Sequence, residues 1–161
     1  MVKLIAWPFY IIGKICINGY YVLHRKLVVI KFILLDFYNV LYFASDDKLN
    51  IEIFDFVQKN NKKYGFGVLS SVHSDLAAWF KDRNLDENFM FVKTTAELGV
   101  PKTESGVYEM VVNGLEIKPQ EVLLIDDSVE NIVAADEAGL KTLKYIRSKP
   151  FNKQISEHIK T

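Results

Sequence analysis

A carboxylate, two hydroxyls, a lysine and two adjacent carboxylates follow one another along this 161-residue chain as Asp36, Ser70–Ser71, Lys102 and Asp126–Asp127. All but the lysine close apolar runs, FILLD, FGVLSS and EVLLIDD. A carboxylate in such company costs several kcal/mol to bury unless something uses or satisfies it. Taken singly, each has an ordinary explanation. Asp36 could begin a turn, Ser71 or Ser74 and Asp127 or Ser128 could cap helices, and Lys102 could be a solvated loop lysine. Taken together they are the residue types phosphoryl chemistry needs: carboxylates to attack or to hold a divalent cation, and hydroxyls and an ammonium to hold an anion.

The elements that must position them are legible from Leu27 onward. LVVIKFILL reads as a buried strand ending at Asp36. Leu49, Ile53, Phe56 and Val57 form an amphipathic helical stripe, with Ser45 or Asp46 as its cap and Gly65 beyond its end. Further strands are expected at 66–71, 89–93, 121–126 and 141–146. Helices are expected at 74–84, from Glu104 to Gly114, from Ser128 to Gly139, and in the tail through Phe151, Ile155 and Ile159. Alternating strands and helices imply a doubly wound α/β sandwich of three layers around a parallel sheet. Ligands in such sheets bind at the carboxyl ends of the strands, where the order switches. Asp36, Ser70–Ser71 and Asp126–Asp127 all fall on that rim.

The order of these clusters resembles that of the haloacid dehalogenase (HAD) superfamily, from about Val28 to Tyr145. LLDFYNVL stands where the family has D-x-D-x-[TV]-[LI], with Asp36 in the nucleophile position. VLSS matches its strand ending in Ser or Thr, GVPK its lysine motif with Thr103 in place of the usual proline, and LLIDDSVENI its acidic motif. The resemblance implies a HAD-like Rossmannoid fold and a Mg²⁺-dependent phosphatase working through an aspartyl-phosphate on Asp36. It implies metal ligands at Asp36, the backbone carbonyl of Tyr38 and Asp127, helped by Asp126. It also implies a phosphate site at Ser70, Ser71 and Lys102, with Lys102 balancing the acids. Asn131 is placed behind the acids or on the helix surface.

One position departs from the family's phosphatases. Tyr38 stands where they carry the acid–base aspartate, so the implied catalytic set is Asp36, Tyr38, Ser70 and Lys102. A phenol ionises only near about pH 10 and is a poor general base; losing acid–base help typically costs about 10²–10⁴ in rate. Three readings stay open: a slow phosphatase favouring good leaving groups, a weak or inactive homologue that binds or scaffolds, and a dehalogenase-type hydrolase, whose family members also carry D-x-Y. The acidic pair Asp126–Asp127 argues against the last, since halide displacement needs no such pair. The residues between Asp36 and Ser70, and between Ser71 and Lys102, are too few for a cap domain. The expected substrate is therefore a phosphorylated and even bulky molecule, unless a second copy covers the site.

The gross composition excludes little else. Twenty basic and twenty acidic residues cancel, and no basic patch points to nucleic acid. Cys16, the single cysteine, excludes an internal disulfide framework and fits a reducing, cytoplasmic setting. His73 beside the rim reads as structural. Residues 27–147 read as the core domain and 148–161 as a tail helix. The apolar extension 1–26 reads as a separate segment, broken by Lys14, Pro8, Gly13 and Gly19, and a poor spanning helix. An interfacial membrane anchor, extra strands, a packed helix and a start site placed too far upstream remain open for it.

Overall fold

Continuous apolar strands need cover on both faces, and the fold supplies it. A computed structural model of the chain describes residues 14–17, 20–23, 28–71 and 75–159. Lys14–Ile17 (β1) and Tyr20–Leu23 (β2) pair antiparallel, Lys14 opposite Leu23. Of the alternatives for the amino-terminal segment, this is the one with extra strands; the rest of residues 1–26 lies outside the described residues. Among the described residues, no helix is long and apolar enough to cross a membrane.

The central strand is Phe32–Leu35 (β3). Chain order then runs through Tyr42–Phe43 (β4), Lys48–Leu49 (β5), helix Ile51–Asn60 (α1), Gly65–Ser70 (β6) and Leu76–Lys81 (α2). Phe91–Thr94 (β7), Thr95–Leu98 (α3), Ser105–Leu115 (α4), Val122–Asp126 (β8), Val129–Glu137 (α5), Lys141–Lys144 (β9) and Phe151–Ile155 (α6) complete it. Five strands form one parallel sheet in the order β7-β6-β3-β8-β9. The chain leaves β3 toward β6 and β7, then returns to its other side as β8 and β9. The switch point lies between β3 and β8, at the carboxyl ends of which Asp36 and Asp126 sit.

Strand side chains alternate between faces. Ile33, Leu35, Leu123 and Ile125 pack with Ile53, Val57, Leu76, Phe80, Phe151 and Ile155 of α1, α2 and α6. Phe32, Leu34, Val122 and Leu124 pack with Val107, Val111, Ala134 and Ala135 of α4 and α5. Gly67 is required by a close approach. A Cβ there would lie 2.6 Å from Phe91 and 2.9 Å from Phe32, whose rings stack at 5.7 Å.

Several boundaries differ from the sequence expectation. The strand before Asp36 starts only at Phe32, and Val28 and Val29 are exposed. Leu49 belongs to a two-residue strand rather than to the helical stripe. A hairpin spans β4 and β5, so Ser45 and Asp46 cap nothing, and Asn50 precedes α1. Asn50 is buried and held elsewhere, donating to the Val40 carbonyl and the Tyr145 hydroxyl at 2.8 Å each. Asp75 caps α2 by accepting from the Ala78 amide at 2.9 Å; Ser74 and His73 lie outside the described residues. The short helix α3, opened by a Thr94–Glu97 capping box, has too brief a pattern to be read from sequence.

Candidate active site

The rim residues come from three adjacent strand ends and one loop. β3 and β8 run in register, and the Asp36 amide continues their ladder by donating to the Ile125 carbonyl at 3.0 Å. The next turn folds back at once. The amides of Leu41 and Tyr42 both donate to the Phe37 carbonyl at 2.9 Å, and Asn39 adopts a positive φ of 60°. That geometry is tolerated by asparagine better than by most residues. It leaves Phe37 buried and Tyr38 exposed.

Lys102 is no solvated lysine. It is 2% exposed and fully sequestered among the acids. Its Nζ lies 2.6 Å from Asp36 Oδ1 and also pairs with Asp126 Oδ2. Asp126 is completely buried and saturated. Its Oδ1 accepts from the Ser128 amide at 2.8 Å, and the Asn131 amide group reaches both oxygens at 3.1 Å. Asp127 is half-exposed and accepts from Asn39 Nδ2 at 3.0 Å. Carboxylate oxygens of Asp36, Asp126 and Asp127 lie within 4.8 Å of one another. Ser70 is buried at the end of β6, in register with Thr94, and Ser71 beyond it is exposed.

Burial among these groups shifts the ionisation of Asp36. Burial pushes the Asp36 carboxyl up to about 6; the Lys102 ammonium opposes this, and the Asp126 charge adds to it. Three carboxylates and one ammonium leave an excess of negative charge that a divalent cation with oxygen ligands would neutralise. The donor set and its mutual distances therefore fit such an ion.

Asn39 and Tyr108 escape a sequence reading, while Asn131, expected behind the acids or on the helix surface, is found bonded to Asp126. Asn39 lies inside the first motif, and only its distant partner Asp127 gives it a role. Asn131 is reached one helical turn after Ser128, whose hydroxyl caps α5 by accepting from the Asn131 amide at 3.4 Å. Tyr108 belongs to the apolar stripe of α4, yet its buried hydroxyl has no hydrogen-bond partner among the described residues. Burial and the charges of Asp126 and Asp36 push its ionisation upward and keep it protonated.

Comparison with known proteins shows the family and the fold. A family model described as haloacid dehalogenase-like hydrolase matches residues 35–145. An enolase-phosphatase E1 of Shewanella woodyi is 42% identical over 41 residues, which are 26% of this chain and 18% of that protein. The bifunctional epoxide hydrolase 2 of Rattus norvegicus is 32% identical over 59 residues, 37% of this chain and 11% of that one. The chain thus matches less than a fifth of the length of either relative. Among solved structures, a HAD-like family hydrolase from Porphyromonas gingivalis has a TM-score of 0.69 at 15% identity, covering 80% of this chain and 97% of its own. A HAD family enzyme from Bacteroides thetaiotaomicron, in complex with magnesium and inorganic phosphate, has a TM-score of 0.65 at 16% identity, covering 77% and 98%. At such identities the structures speak for the fold.

Proposed function

The chain belongs to the haloacid dehalogenase-like hydrolases, and from that premise we propose that it is a magnesium-dependent phosphomonoester hydrolase with Asp36 as its nucleophile. The carrying observation is the buried Lys102 held between Asp36 and Asp126, with Asp127 in reach of both acids. A lysine in that place has no structural need that a well-packed apolar residue would not serve as well. It serves chemistry instead, keeping Asp36 ionised where several acids converge.

In this reading Asp36, Asp127 and the Tyr38 carbonyl hold the ion, with Asp126 supporting it. Asp126 is the less available ligand, because Lys102, Asn131 and Ser128 already engage its oxygens. When bound, magnesium supplies charge neutralisation at the phosphate. The residues of the chain do the rest. Ser70, Ser71 and Lys102 hold the phosphate oxygens, and an Asp36 oxygen bonds to phosphorus as the ester P–O bond breaks and the leaving oxygen takes the electron pair. Water then attacks phosphorus and the Asp36–O–P bond breaks, its electron pair returning to the Asp36 carboxylate; one water proton stays on the released phosphate and the other passes through solvent to the leaving oxygen. Asn39 holds Asp127 at 3.0 Å and so ties the first motif to the acidic one.

In this reading 27–147 is the core that carries the chemistry, 148–161 is a tail whose Phe151 and Ile155 pack on that core, and 1–26 is a separate extension. Between Asp36 and Ser70 stand only a small hairpin and α1, which supports a site open to a bulky phosphorylated substrate. The test is hydrolysis of 4-nitrophenyl phosphate with and without Mg²⁺, in the parent and in Asp36→Asn. Magnesium-dependent turnover in the parent alone is expected. Equal rates in the two proteins would end the proposal.

A second reading, that of a binding protein with little turnover, has one observation in its favour. The Tyr38 ring is engaged with Phe37 and Tyr42, at centroid distances of 5.1 and 6.1 Å.

A further inference from the structure

Those ring contacts belong to a larger assembly beside Asp36. Tyr38 contacts Phe37 and Tyr42, Tyr42 contacts Trp79 at 5.5 Å, and Trp79 meets Phe37 edge-on at 5.0 Å. Arg83 lies over the Trp79 ring, its guanidinium carbon 4.2 Å from the centroid, and its Nη1 donates to the Trp79 carbonyl at 3.3 Å. Phe37 is the buried floor. The other rings are not buried: Tyr38 is 41% exposed, and Tyr42 and Trp79 are half-exposed beside an exposed Arg83. The rim is also held in shape, because the Tyr42 hydroxyl donates to Asp47 at 2.7 Å. Tyr38, Tyr42 and Trp79 thus present three partly solvated rings side by side, and an aromatic ring pairs favourably with such neighbours in offset-stacked or edge-on geometry.

We propose that Tyr38, Tyr42 and Trp79, with Arg83, form the leaving-group subsite of the Asp36 centre, and that it takes the ring of an aryl phosphate monoester. This rests on the reading of Asp36 as a phosphate-attacking residue. Two independent features converge on the same substrate class. The rim offers stacking surface and a fixed positive charge, beginning two residues from the nucleophile. The same Tyr38 that builds it displaces the carboxylic acid that would protonate a departing alkoxide. An aryl ester needs no such proton: as Asp36 bonds to phosphorus and the P–O(aryl) bond breaks, the electron pair leaves on a phenolate. One substitution therefore removes a proton donor and supplies a ring platform.

The test separates binding from turnover. In a Trp7→Phe background, where Trp79 is the remaining tryptophan, fluorescence is titrated with phenylphosphonate, cyclohexylphosphonate and methylphosphonate in the presence of Mg²⁺. None of the three can be hydrolysed. Phenylphosphonate is expected to quench Trp79 and to bind about three- to tenfold tighter than the other two, the span of an aromatic contact. The preference should fall toward unity in Tyr38→Leu and weaken in Arg83→Gln, both exposed positions. Equal affinity for phenyl and cyclohexyl, or a phenyl preference that survives Tyr38→Leu, would overturn the rim while leaving the phosphatase reading intact. A retained phenyl preference without turnover of any ester would leave the rim and remove the phosphatase. Binding of none of the three would remove both.

Discussion

Lys102 shows how much one side chain decides at this site. A buried ammonium costs several kcal/mol to desolvate and persists only where partners satisfy it. Asp36 and Asp126 do so, and their own burial is tolerable for the same reason. Tyr38 is the opposite case, an exposed residue to which the proposed function gives a role in chemistry rather than in folding. Tyr38→Asp restores the acid–base group and is expected to raise the rate on alkyl phosphates by about 10²-fold or more. The aryl phosphate rate should rise less, because a phenolate leaves unaided. Steady-state kinetics on one alkyl and one aryl ester reads both, and an equal rise in the two would contradict the role given to Tyr38.

At the scale of elements, the site depends on three strands ending level with one another. β3 is in register with both β6 and β8, so Asp36 emerges level with Asp126 and one residue short of Ser70. β6 can lie this close because Gly67 leaves its surface to the stacked Phe32 and Phe91 rings. Gly67→Ala would force both rings to shift, and overpacking of this kind costs about 1–3 kcal/mol. The Phe91 ring tip is the nearer obstacle and is only partly buried. Adding Phe91→Leu should therefore recover much of the loss. Urea denaturation of the single and double variants measures it; a double variant no better than the single would mean that the strain lies in the backbone.

At the scale of the whole molecule, the site and the stability of the fold are linked through protons. Asp36 has its carboxyl raised from 3.8 to about 6, chiefly by burial. The folded chain thus binds a proton that the unfolded chain releases between those values. Asp36's own contribution to metal-free stability is full below about pH 4 and is lost as pH rises through 4 to 6, an effect of about 3 kcal/mol. Asp36→Asn lacks this slope, so in chelator the parent should lose about 3 kcal/mol relative to it between pH 4 and 7. Magnesium binds the ionised carboxylate and competes with the proton. It should stabilise the parent at pH 7 and do little at pH 4.5. Denaturant midpoints across pH, with and without Mg²⁺, give the answer, and a magnesium effect independent of pH would separate the ion from Asp36.

The chain alone determined the alternating elements, the carboxyl-end rim and the residue types on it, because apolar periodicity and strand-ending acids are local signals. LVVIKFILL and Leu49 misled for the same reason. Locally they suit a strand and a helix, but neighbours elsewhere in the chain decide where the ladder starts and where a hairpin intervenes. Only the tertiary structure decided that Lys102 is buried between two acids, that Asn39 reaches Asp127, and that Trp79, under Arg83, stands beside Tyr42 and Phe37. Each of these joins residues distant in the chain, and their energies arise from shared burial, which no short stretch of sequence contains.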